Sequence, residues 1–486
     1  MGLDQASDFD LQPRRPGGMA YSAGRPRSRG PRGPGALQEE RIFSREGGLN
    51  SIRALALLAA VIPAAAQFGG PAILTRGEAP AAMTTAEVSF RPFVEFGGIY
   101  DTGLAGVAVN SQGQLGSAAS PGMTLSGGIS GVHSWKHTKI GLDYSGLISH
   151  YTQATYYDST ANSLLLGVTH EFTRHMTLTL RESAGQFARN YGLPSLVQTV
   201  PFDSSASYIP ISDFYDNRTI YANSQADLTI QKTTRLSFNL GGDGYLIRRR
   251  SSALYGVTGG GARGDVQYRL SSRSTIGAAY TYTHYAYRGV FSGTDLHGVV
   301  STYGIRLTKT LEFSGYGGFM RAETKFEQSV PIDPAIAALI GESVGAVIVH
   351  RIDYVPNVAG RLSETFSRGV LYLSGGHTVT PGNGLFLTSE TTTASAGYTY
   401  TGLRHWSFAT QAGYDHSKSV GNVLGYYGDI SGTLSASRQI MGTMHGILSF
   451  SARHYQSPDF ALYNRLVYTV RLGVGFTPGN IPLRLW

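Results

Sequence analysis

The chain has no cysteine, so disulfide staples, thiolate metal sites and cysteine nucleophiles are all excluded. That absence also suits an exported protein, which avoids stray disulfides. Charge is sparse: Asp, Glu, Lys and Arg make up 15% of 486 residues, low for a soluble protein of this size. Apart from one short run near Arg53, no apolar stretch approaches the ~18 residues of a membrane-spanning helix. The sequence holds no H-E-x-x-H, GxSxG or Walker pattern, and its 13 histidines are scattered. His284, His377 and His416 near strand tops read as rim residues rather than ligands. GGGARG (Gly259–Gly264) is no phosphate loop, because no helix follows it. We therefore expect no cofactor and no metal. What is abundant is glycine (63) and tyrosine (29), which suit crowded strands and membrane–water belts.

The formal net charge is +8, and nine arginines against six acids fall in residues 1–66. The remaining excess is mild and argues for no nucleic-acid partner. Residues 1–48, with RPRSRGPRGPG, read as a disordered leader or as sequence upstream of the true start. Residues 49–66 read as a secretory signal: Arg53, the apolar ALALLAAVIP, then Ala64 and Ala66 framing an A-x-A site before Gln67. Residues 67–86 form a periplasmic lead, or a short plug; 87–476 a barrel; 477–486 a tail.

The barrel reading starts at RLVYTVRLGVGF (Arg465–Phe476), where Leu466, Tyr468, Val470, Leu472, Val474 and Phe476 alternate with smaller or polar residues. Period 2 means a strand with two unlike faces. The pattern recurs from about residue 88 onward, as one strand, eight hairpins and a closing strand. We expect an all-β, closed antiparallel transmembrane β-barrel of about eighteen strands, with sixteen left open if the weak pair Tyr354–Val379 is misread. Short turns, each with a basic residue, alternate with longer connections, as tight periplasmic turns and extracellular loops do. The basic residues would meet phospholipid headgroups.

Parity assigns faces. Leu236, Phe238, Leu240, Val266, Tyr268, Leu270, Ile430 and Leu434 should meet lipid. A basic residue there costs ~2–4 kcal/mol near the midplane, so strand charges should concentrate inside. Pore-lining candidates are Arg91, Glu95, Asp143, Asp227, Asp243, Arg263, Asp265, Arg269, Arg306, Arg361, Asp429, Arg453 and Arg471; Glu171, Arg181, Asp415 and Arg465 share their parity. Bases and acids on opposite walls would set a transverse field. The rival reading pairs these charges structurally within a partly closed lumen. The connection Phe326–Asp353, carrying PAIAALIGESVGAVIV, is expected to be the longest. It is either a constriction folded into the mouth, with a short helix at Ala335–Ile340, or an extracellular cap or partner site. Leu193–Arg218, with Tyr208, Phe214 and Tyr215, is a second candidate loop.

PAILTRG, RPFVEFGGIYDTGL and the ending PGNIPLRLW resemble a group of bacterial outer-membrane β-barrel proteins of porin size, over about residues 88–476. The resemblance implies insertion in the outer membrane of a Gram-negative-type bacterium, contact with its lipid and its assembly machinery, and passive diffusion of small hydrophilic solutes. It implies no catalytic residue. The assembly signal in that group is a terminal aromatic; here Phe476 or Trp486 would serve, with Phe476 better because Arg484 and Pro482 interrupt the tail. A homo-oligomer stays open. The expected function is a porin-like channel and not an enzyme. The rivals are a plugged barrel binding an exported partner through its long loops and, more remotely, a membrane-embedded hydrolase.

Overall fold

The computed structural model describes residues 89–104, 119–153, 158–187, 218–251, 254–382, 384–385, 387–420, 425–458, 464–478 and 481–482. The signal residues Ala64, Ala66 and Gln67, the 67–86 lead, nearly all of Leu193–Arg218, and Trp486 lie outside them.

Eighteen long strands follow one another along the chain. They are β1 (Ser89–Asp101), β2 (Ser120–Ser134), β3 (Thr138–Tyr151), β4 (Ser159–Thr173), β5 (Met176–Phe187) and β6 (Thr219–Gln231). Next come β7 (Leu236–Arg249), β8 (Gly256–Arg269), β9 (Ser274–Arg288), β10 (Ser292–Arg306), β11 (Leu311–Pro331) and β12 (Val344–Phe366). The last six are β13 (Gly369–Thr380), β14 (Ser389–Tyr400), β15 (Trp406–Ser419), β16 (Tyr426–Met441), β17 (Met444–Gln456) and β18 (Leu466–Phe476). Each pairs antiparallel with its sequence neighbours, and β18 returns to β1 in the register Val94↔Phe476 to Asp101↔Thr469. That seam leaves the ring without edges, which is how a sheet satisfies its backbone in lipid. The weak pair is real: β12 and β13 are bonded from Val358↔His377 to Phe366↔Gly369, so the count is eighteen and not sixteen.

The two faces alternate as the pleat requires. In β1, Glu95 is 6% exposed and Phe96 58%. Leu240, Val266, Tyr268, Leu270, Ile430 and Leu434 are all exposed apolar side chains on the outer wall. Exposed aliphatic and aromatic groups on nearly every strand make a belt far larger than a soluble protein tolerates. Lipid is the solvent that suits it.

Four expectations are corrected. First, Phe326–Asp353 is no long loop. Strands β11 and β12 stay paired to Pro331↔Val344, so the connection is residues 332–343 and contains the helix α1 (Pro334–Ile340). The β-branched run VGAVIV can ladder against EQSVP, and does. Asp333 caps the helix by accepting from the Ala335 N–H at 2.8 Å, and Gly341 (φ 75°) ends it. None of the helix is buried. Second, Pro482 does not keep the tail out of the sheet: Ile481–Pro482 forms β19, opposite Phe90 and Ser89. A proline is tolerated there because a strand end need not donate. Third, the turn expected at Arg438–Met441 lies further on. Strand β16 runs to Met441, with a bulge between Gln439 and Met441. Fourth, the connection between β9 and β10 is only residues 289–291, helped by Gly289 at φ 86°, so long and short connections do not alternate without exception.

At the end carrying the longer connections, Asp158 accepts from the Tyr151 N–H at 2.8 Å and lies 2.6 Å from His150. Desolvation pushes its carboxyl up, but these two contacts together hold it below the usual range.

Candidate functional site: the inner wall

The inner face collects most of the strand charges, with Glu182 of β5 an exposed exception on the outer parity, accepting from Ser224. Asp143 is 4% exposed while the next residue, Tyr144, is 43% exposed on the outer wall. Arg91, Asp143 and Asp243 share the inner parity of their strands, and each has an interaction partner. The best-defined network spans β5 to β8. Arg263 donates to Asp227, and Arg181 stands 4.0 Å from the same carboxylate and 3.5 Å from Gln225. Asp265 accepts from Asn239 at 2.7 Å.

The network depends on a glycine. In the register, Asp227 faces Gly241, and Gly241 faces Arg263. The bare backbone of Gly241 lets the arginine cross over β7 to reach a carboxylate two strands away. A Cβ at 241 would collide with both side chains.

On the far side of the ring, Arg453 donates to Asp429 through Nε at 2.8 Å, and Arg471 reaches Glu95 at 3.4 Å. Bases and acids therefore sit together on each wall. The expectation of a transverse field between a basic and an acidic wall is corrected: partners lie one or two strands apart, because opposite charges in a low-dielectric wall are favoured when close.

Other candidates stand apart from these networks. Arg269 donates to the Ser271 carbonyl at 3.2 Å, at the start of a short turn. Arg306 binds Glu312 at 2.7 Å near the next one. Arg361 lies over the Tyr372 ring at 5.5 Å. His377 meets Thr392 at 2.8 Å, and His284 meets Asp295 at 2.9 Å. Among the described residues no cluster of ligating side chains suited to a metal is present.

The sequence reading missed the mouth. Between β13 and β14, the described residues Pro381, Gly384, Leu387 and Thr388 lie against side chains of the inner face of β9 and β10 and the residues beside β8. Tyr285 donates to the Thr380 carbonyl at 3.3 Å and Tyr287 to the Pro381 carbonyl at 3.0 Å. Thr388 lies 3.3 Å from the Tyr287 hydroxyl and 2.6 Å from Thr294. The Tyr255 N–H donates to the Gly384 carbonyl at 2.9 Å. Gly384 has φ 91°, and Arg249 lies where its Cβ would be, so no other residue suits the position. Beneath the loop, Leu387 joins Tyr245, Ile247, Tyr285, Tyr287, Leu296 and Val355 in one buried cluster. The signal was present in the odd parity of Tyr285 and Tyr287, which puts two large phenols inside, but parity does not say what they would hold.

Phe476 faces outward between Val94 and Met444 at the end of β18. No protein-family model and no curated protein matches the chain. Among solved structures it is similar to Acinetobacter baumannii OccAB3, at 10% identity over 80% of this chain and 98% of that one, with a TM-score of 0.37. Pseudomonas aeruginosa OccK2 (OpdF) is similar at 11% identity over 82% and 100%, with a TM-score of 0.39. P. aeruginosa OpdK, solved with vanillate, is similar at 10% over 80% and 98%, with a TM-score of 0.36. At these values no substrate or mechanism passes from those barrels to this one. What the chain's own strand pairing and outer belt establish is a closed, eighteen-strand barrel of the outer-membrane type and of porin size.

Proposed function

We propose that the chain is a diffusion channel for small hydrophilic solutes, inserted after export in the outer membrane of a Gram-negative-type bacterium, and not an enzyme. The observation that carries this reading is the strand count at a closed seam. Barrels of about 16–18 strands are too wide for wall side chains to fill, and they leave an aqueous path. The polar inner wall agrees with that path. Charges neutralised in neighbouring pairs favour weak rather than strong ion selectivity, and Pro381, Leu387 and Thr388, held on the inner wall, narrow the route near the mouth. The candidate pore-lining residues, above all Asp227, Arg263 and Asp265, act in this reading as a local field and not as a binding site for one solute.

A second reading has its own support. Glu95, Asp143 and Asp429 are almost fully shielded, as charges are in a filled lumen. That favours a plugged barrel that binds an exported partner through its outer connections. Conductance of the purified barrel in a planar bilayer separates the two. Discrete current steps are expected for the channel. A bilayer that stays silent with demonstrably inserted, heat-modifiable protein overturns it in favour of the plugged barrel.

A further inference from the structure

On the outer wall, at the end carrying the short turns, the apolar belt gives way to a basic recess. It lies between the turn joining β14 to β15 and the end of β16, and is lined by Arg404, His405, Trp406, Arg438, Gln439 and Ile440 around a volume of about 290 Å³. Trp406 and Arg438 are register partners, and the guanidinium stands over the indole at 5.3 Å. Phe408, one position further along the same face, stacks on Trp406 with centroids 5.6 Å apart and planes 3° from parallel.

Two features make the recess a built site. Arg438 is a strand residue and, by parity with Leu434, points outward into lipid territory. Neither it nor Arg404 meets a carboxylate among the described residues. A guanidinium on this wall is costly at the midplane and tolerated only at headgroup depth, where an anion can complete it. The backbone is also held for the purpose. His405 adopts φ 67°, a left-handed conformation uncommon outside glycine, and Gln439 secures it through His405 Nδ1 at 3.0 Å and the His405 carbonyl at 2.8 Å. Arg368, on the preceding short turn, donates to the Gly402 carbonyl at 3.3 Å and braces the same loop.

We infer that this recess binds the phosphate headgroup of an anionic phospholipid in the periplasmic leaflet. Arg438 and Arg404 bind the phosphate oxygens by charge-assisted hydrogen bonds, and Trp406 marks the interface as indoles do. Free phosphate offers the same oxygens. The lipid is favoured because the recess opens upward onto Phe408, Leu434 and Leu448, an exposed apolar track suited to acyl chains. The inference rests on the membrane barrel and not on the channel, so a silent bilayer recording leaves it standing.

Native mass spectrometry of the full barrel, released from micelles doped with equal amounts of phosphatidylglycerol and phosphatidylcholine, tests it. Wild type is expected to retain phosphatidylglycerol preferentially, and the Arg404→Gln/Arg438→Gln variant to retain it about tenfold less. Gel mobility before and after heating confirms that the variant is folded; if it is not, Arg404→Gln alone, at an exposed turn position, is expected to show a partial loss. Equal retention of the two lipids by wild type, or unchanged retention by the folded variant, overturns the proposal. Displacement of the lipid by millimolar inorganic phosphate, with one phosphate retained in its place, identifies a free-anion site and also overturns it.

Discussion

Arg471 on the last long strand reaches Glu95 on the first, with Nη2 3.4 Å from Oε1, across the seam that closes the barrel. Ser126 on β2 donates to the other carboxylate oxygen at 3.3 Å. Three strands that meet only when the ring is complete thus share one charge cluster, and the carboxylate is almost fully shielded. Replacing Arg471 by Met should cost about 1–3 kcal/mol, because a shielded acceptor loses its charged donor. The midpoint of heat-modifiable gel mobility should fall accordingly. The paired change Glu95→Gln/Arg471→Met should lose less than Arg471→Met alone. A larger loss in the double variant would show that the seam does not depend on this pair.

Parity around Asp265 and Val266 can be read chemically, since the parent has no cysteine to label. Asp265→Cys is expected to react with small water-soluble thiol reagents and to reduce current. Val266→Cys should react only with lipid-soluble ones, because neighbours in a strand point to opposite walls. The reverse pattern would put the register off by one.

Arg263→Ser/Arg269→Ser should shift reversal potentials toward cation preference. Removing Arg263 takes one guanidinium from Asp227 and leaves the inner wall of β6 to β8 more negative. Gly241→Ala is expected to have a smaller effect in the same direction, since its Cβ would push Arg263 away from Asp227. Unchanged reversal potentials in a conducting barrel would remove these residues from the solute path.

Two tyrosine hydroxyls hold the end of β13 and the start of the following connection against the inner wall, Tyr285 at the Thr380 carbonyl and Tyr287 at the Pro381 carbonyl. Tyr285→Phe/Tyr287→Phe keeps the apolar packing and removes those bonds. Single-channel recordings of this variant should show a noisier and larger current than wild type. A current identical to wild type would show that the loop is held by its packing around Leu387.

For assembly, Phe476→Ala is expected to harm insertion more than Trp486→Ala. Phe476 ends the outward face of β18 and is bonded into both flanking strands. The fraction of heat-modifiable protein in isolated membranes measures the difference. Wild-type folding of Phe476→Ala would count against its role as the assembly signal.

The alternation in RLVYTVRLGVGF, repeated along the chain, determined by itself that Tyr144 and Val266 would lie on one wall and Asp143 and Asp265 on the other. It left the strand count at eighteen or sixteen, and only the observed pairing of β12 with β13 across Ser367-Arg368 decided for eighteen. The reason the faces were legible is local: the pleat sends successive side chains to opposite faces whatever the partner strand is. The helix at residues 334–340 was legible too, because Asp333, Pro334 and Gly341 carry its start and stop signals within eight or so residues. Only the tertiary structure decided what is non-local. It set the shift that brings Glu95 within reach of Arg471, the bare glycine that lets Arg263 cross β7 to Asp227, the continued pairing of β11 with β12 that shortens the expected 326–353 connection to residues 332–343, and the contacts that hold Pro381 and Thr388 against Tyr287. Each depends on which residues of distant segments come level with one another. Period 2 carries no information about that level, since a strand displaced by two residues keeps its faces and exchanges every partner.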